Sequence, residues 1–212
     1  MFWKQWPCLI AAFIIWFSSP SKAWSQDVPD TLWLQLDEAI LSGDTMPALR
    51  FCEAAGWDSL NFSFVHSVLQ SHELVVHNGD TVNHAFVLGV GDWDPVLLAA
   101  GQFTALTLPP METGTYSYGL ASERGRVLGA GGMIMVGNDD LPHFHWNLGD
   151  WEPARMQTVA EGNALDGDAP YVPRQFTVND RTFPNTSNDP FGYVSIGVGT
   201  SCYISIANQG SM

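Results

Sequence analysis

Few side chains in the sequence are suited to holding a metal. His143-Phe-His145 is the one His-x-His pair, and on a strand the two-residue period sets both rings on one face, a geometry that suits a metal bound by neutral imidazole. His84 stands alone at the head of the apolar run His84-Ala-Phe-Val-Leu88. A lone imidazole near the end of a β-sandwich can equally be satisfied by hydrogen bonds alone. His77 faces solvent or core by alternation, and His66 and His72 read as surface residues near a strand start. Cys8, Cys52 and Cys202 are the only thiols. Cys52 and Cys202 allow one disulfide or two buried thiols, and sequence does not decide between them.

These groups sit in a chain of 212 residues with a formal charge of −14. Both lysines, Lys4 and Lys22, lie in residues 1–25, which contain no Asp or Glu. The remainder carries six Arg against 22 acids, a formal charge of −16. Such a surface repels phosphate backbones and excludes a nucleic-acid binder. The glycine-rich run Gly125 to Gly131 lacks a lysine and a βαβ context, so it is not a phosphate loop. The acids are spread along the chain, as a solvated surface requires, rather than clustered as a calcium loop. Asn61-Phe-Ser63 and Asn185-Thr-Ser187 fit the glycosylation sequon.

Residues 1–25 read as an export signal: Lys4, an apolar run from Cys8 to Phe17, then a small-residue cleavage site at Ser21-Lys22-Ala23 or Ala23-Trp24-Ser25. The apolar run is shorter than the roughly 20 residues a spanning helix needs. A secreted or periplasmic protein with no membrane span after cleavage is expected.

Short alternating runs separated by Gly, Pro, Asn and Asp position the candidate ligands. Strands are expected at 71–77, 84–90, 102–108, 114–118, 132–136, 193–197 and 201–207, rich in β-branched and aromatic residues. Only Leu34 to Leu41 and Met156 to Ala164 suggest short helices. The chain should therefore be all-β, an antiparallel sandwich or barrel. A boundary falls near Gly137-Asn-Asp-Asp-Leu-Pro142, and 139–172 reads as a connection packed through Trp146 and Trp151. A second strand-rich pattern starts near residue 173, with too few strands to close a sandwich. Either a second chain or polypeptide after Met212 is expected to complete it.

Three stretches resemble the multicopper oxidase family, whose domains are cupredoxins. Leu74-Val-Val-His-Asn-Gly-Asp-Thr-Val-Asn-His-Ala-Phe-Val-Leu88 is similar to the strand and turn that lead to the first copper-ligand His. Gly114-Thr-Tyr-Ser-Tyr118 and Gly129-Ala-Gly-Gly-Met-Ile-Met-Val136 resemble the family's Gly-Thr-Tyr-x-Tyr strand and closing strand. Phe176-Thr-Val-Asn-Asp-Arg-Thr-Phe-Pro184, with Val198 to Met212, resembles the opening of a later domain, just before the family's His-x-His pair. The resemblance implies a Greek-key cupredoxin sandwich over 26–138, followed by an incomplete second cupredoxin domain over 173–212.

It also implies copper as cofactor and oxidoreductase chemistry, with His84 at the first-ligand position. A blue copper centre needs a thiolate, two imidazoles and usually a weak axial Met. Gly119-Leu120-Ala121 stand where the Cys is expected, no His follows before Gly129, and Ala130 occupies the axial Met position. His143 and His145 sit outside the family's strand pattern. The expectation is a scaffold whose copper ligands lie mainly elsewhere, against the alternative of a secreted binding module that has lost its copper.

Overall fold

The computed structural model describes residues 31–53, 63–67, 71–137, 141–182 and 196–209. Residues 1–25, where an export signal is expected, lie outside them, Cys8 included.

β1 (Thr31–Leu41) and β2 (Asp44–Cys52) form a hairpin through Ser42-Gly43, whose φ angles of 52° and 91° suit the two-residue turn that matches strand twist. The helix expected over Leu34 to Leu41 is thus a strand. Leu32 and Leu34 face inward, the alternation lapses over Leu36 to Glu38, and Ala39 and Leu41 face inward again. Pairing with β2 along its length, and with β4 (His72–Asn78) in parallel at its start, overrides the local helical pattern. Pro47 in β2 is tolerated because β2 is an edge strand.

With β7 (Phe103–Leu108) these strands make a first sheet in the order β2-β1-β4-β7. The second sheet, β3-β9-β8-β5-β6, contains β3 (Phe64–Ser67), β5 (His84–Leu88), β6 (Val96–Leu98), β8 (Gly114–Leu120) and β9 (Gly131–Gly137). The chain crosses between the layers at β4 to β5, β6 to β7 and β7 to β8, which makes the connectivity of a Greek-key sandwich rather than a meander.

An aromatic cluster joins the two layers. Phe51 of the first sheet meets Phe86 and Tyr118 of the second, with centroids 5.8 and 5.2 Å apart. Phe51, Phe64 and Phe86 are fully buried, each worth about 1.5–3 kcal/mol in removed apolar surface.

A third sheet, β11-β10-β12, consists of β10 (His143–Trp151), β11 (Gln175–Val178) and β12 (Tyr203–Asn208). The span 139–172, expected to be a connection, thus supplies the central strand of this sheet and the helix α2 (Pro153–Ala160). One face packs on the outside of β8 and β9. Ala207 contacts Met133 and Met135, the Thr115 hydroxyl donates to Ser205 Oγ at 2.8 Å, and Trp151 packs over Gly129. β9 is buried throughout because the sandwich core covers one of its faces and the third sheet the other, the condition under which a strand loses its alternation. The opposite face of the third sheet bears Leu148, Phe176, Ile204 and Ile206, all exposed.

Of the other expected strands, 193–195 lie outside the described residues, and Ile196 and Gly197 are not in a strand. Cys52 and Cys202 are separate thiols, with no disulfide between them. Among the described residues, no helix is long and apolar enough to cross a membrane.

Candidate metal centre

The turn between β4 and β5 builds the surroundings of His84. Asn78 Oδ1 accepts from the Asp80 amide at 3.0 Å, and its Nδ2 donates to the carbonyls of Val82 and Leu98, both at 2.9 Å. Gly79 allows the turn to press against β1: its amide donates to the Leu34 carbonyl at 2.8 Å, the same oxygen a Cβ would meet at 2.8 Å. Asp80 is thereby pointed inward, toward His84 at the start of the next strand.

On the other side, Ser122 caps α1 (Glu123–Val127), its Oγ accepting from the Gly125 amide at 3.1 Å. A Cβ on Gly125 would collide with the Leu120 side chain, so the short helix sits directly on the end of β8. Arg124 projects from this helix back toward the β4–β5 turn.

These groups close into one buried network. His84, 2% exposed, has Nε2 at 2.9 Å from Asp80 Oδ2 and Nδ1 at 3.1 Å from Ser122 Oγ. Arg124 donates from Nε to Asp80 Oδ2 at 2.9 Å and from Nη2 to Asp80 Oδ1 at 3.3 Å. Its Nη1 donates to the carbonyls of Val159 and Ala160 at 2.6 and 3.2 Å, which places a cation at the C-terminal end of α2. Burial alone would raise the Asp80 carboxyl. The hydrogen bonds from His84, Arg124 and the Thr81 amide outweigh it and hold the carboxyl well below the usual carboxylate range. Because a carboxylate only accepts, His84 Nε2 carries a proton and donates to it. Nδ1 faces the Ser122 hydroxyl, whose oxygen takes the Gly125 N–H.

The residues around His84 do not fit a blue copper centre. Both imidazole nitrogens are already engaged by protein groups, and the positions expected to supply thiolate and thioether hold Leu120 and Ala130, both buried. No three His, Cys, Asp or Glu among the described residues converge to hold a metal ion. Sequence reasoning singled out His84 but missed Asp80, Ser122 and Arg124. The available signal was an Asp four residues before the histidine and a Ser just ahead of one of only six arginines.

His143 and His145 lie on a different sheet. On β10 they pair in register with Tyr203 and Ser205 of β12, and His145 falls on the face turned toward the sandwich. His145 is buried, and its carbonyl accepts from Asn179 Nδ2 at 3.0 Å. His77 packs between Trp33 and Phe103 on the outer face of the first sheet. Tyr118 stays a phenol, because burial, with a further contribution from Cys52, pushes its pKa well above the ordinary value.

No family model matches the sequence, and no curated protein matches it. Solved structures do match in fold. The blue copper oxidase of Nitrosomonas europaea superposes with a TM-score of 0.63 at 17% identity, over 85% of this chain and 60% of that one. Copper nitrite reductase from the same organism gives 0.63 at 15% identity, over 87% and 68%. The copper-containing nitrite reductase of Thermus scotoductus SA-01 gives 0.62 at 15%, over 85% and 43%. The chain thus spans 60% of the length of that oxidase and less than half of the Thermus enzyme. The chain has the cupredoxin fold shared by multicopper oxidases and copper nitrite reductases.

Proposed function

We propose that this chain is the scaffold part of an exported copper oxidoreductase of the cupredoxin class, with a first sandwich that holds no copper. Its export rests on residues 1–25. The Asp80–His84–Ser122–Arg124 network carries the proposal, because it occupies the one ligand position the sandwich retains. Copper is held by ligands outside this sandwich, on further polypeptide together with His143 and His145 of β10.

A second reading is a copper-free binding module, favoured by the same network together with the lack of a metal-ligand cluster among the described residues. Elemental analysis and electron paramagnetic resonance of the purified protein separate the two. Stoichiometric copper that survives His84→Gln but falls in the His143→Ala, His145→Ala double variant supports the scaffold reading. Protein that stays copper-free after copper loading supports the module. A blue absorption band lost in His84→Gln overturns both.

A further inference from the structure

A solvent-open cleft of about 600 Å³ lies where α1, the end of β8 and the tail of β12 meet, a volume within the range of small-molecule sites. Its walls are apolar at Leu120, Val127 and Ala130, and the polar groups at its rim include Arg126 and Arg155.

The charge around this cavity runs against that of the whole protein. Only six arginines face 22 acids in the chain beyond residue 25, yet three of the six, Arg124, Arg126 and Arg155, lie on α1 and α2. Arg124 is consumed by Asp80 and the end of α2. Arg126 is exposed, and its side chain makes no hydrogen bond or ion pair with a described residue. Arg155 stacks on Tyr171, with its guanidinium carbon 5.3 Å from the ring centroid, and reaches Glu152 only at 4.0 Å. Glu123 is the single carboxylate in the lining. The cavity therefore presents two guanidiniums against one carboxylate, in a chain where acids outnumber bases nearly threefold.

We propose that this cavity binds a small organic carboxylate with an apolar ring or chain. Its carboxylate sits between Arg126 and Arg155, whose planar donor forks match that group. Its apolar body lies on Leu120, Val127 and Ala130. A bare inorganic anion would leave the apolar walls unused, so the body as well as the charge selects the ligand. The site depends on no copper and stands independently of the function proposed above.

The test is fluorine NMR titration of the full chain with 4-fluorobenzoate, beside the neutral 4-fluorobenzamide and inorganic phosphate. One saturable benzoate site is expected, at least about tenfold tighter than the amide or phosphate. Arg126→Gln and Arg155→Gln should each weaken it about tenfold. Ala130→Met, which fills the apolar end, should abolish it while the melting profile confirms folding. No saturation by about 10 mM, equal affinity for benzoate and benzamide, equal or tighter phosphate binding, or an unchanged Arg126→Gln overturns the proposal. The adjoining cleft, lined by Asp150 and Asp180, also borders Arg126. If those acids capture Arg126 in solution, benzoate does not bind and the proposal fails.

Discussion

The first sandwich and the third sheet are built from similar strands but finished differently. In the sandwich, two sheets cover each other, and even the polar end is filled, because Asp80, His84, Ser122 and Arg124 satisfy one another. The third sheet has one covered face and one open face, where Phe176 is 67%, Ile204 50% and Ile206 54% exposed. Trp146 lies among them with its indole nitrogen buried and without a hydrogen bond to a described residue. The same alternating pattern produces a core where a second layer exists and an apolar surface where none does.

Substitutions in the two regions should therefore differ in size. Asp80→Ala leaves Arg124 and His84 buried without their shared carboxylate and should cost about 3–5 kcal/mol in denaturant unfolding. Phe51→Ala, which empties the aromatic junction between the layers, should cost a similar amount, about 3–5 kcal/mol. A loss under about 1 kcal/mol for either would mean that the sandwich is not closed as described.

The next effect is a pH dependence. The Asp80 carboxyl is lower in the folded chain than in the unfolded one, so its contribution is fully present above the ordinary carboxylate value of about 4. It is lost as the pH falls further, through the folded value. Thermal melts from pH 7 to pH 2 should thus fall more steeply for the natural protein than for Asp80→Asn. Parallel curves would show that the carboxylate is not held by this network.

Ser122→Ala removes both the helix cap and the hydroxyl on His84 Nδ1 and should cost about 1 kcal/mol. Phe176→Ser, on the open face, should change stability by no more than about 0.5 kcal/mol while reducing binding of an apolar dye. If Phe176→Ser destabilises the chain as much as Phe51→Ala does, the open face is covered in solution by the chain itself.

The strands of the sandwich were largely legible in the sequence because β4, β5 and β7 alternate between a wetter and a drier face, while β9, buried on both faces, shows as a continuous apolar run. Five of the expected runs coincide with β4, β5, β7, β8 and β9 to within two residues at either end. Leu34 to Leu41 misled because Leu36, Asp37 and Glu38 interrupt the alternation. Only pairing with two distant strands fixes that segment as extended. β10 was obscured by its flanking turn residues and by the mixture of buried polar and buried aromatic residues along it. His84 was visible as a position. Its partners were not, since Asp80 and Arg124 are 44 residues apart and meet only through the docking of α1 on β8.

The central claim is that protein groups, rather than copper, occupy the coordination sphere of His84. Long-range proton–nitrogen NMR of the imidazole, before and after one equivalent of Cu(II), tests it directly. The structure predicts a proton on Nε2 and His84 signals neither shifted nor broadened by the metal. Selective paramagnetic loss of the His84 signals, or loss of the Nε2 proton, would contradict it.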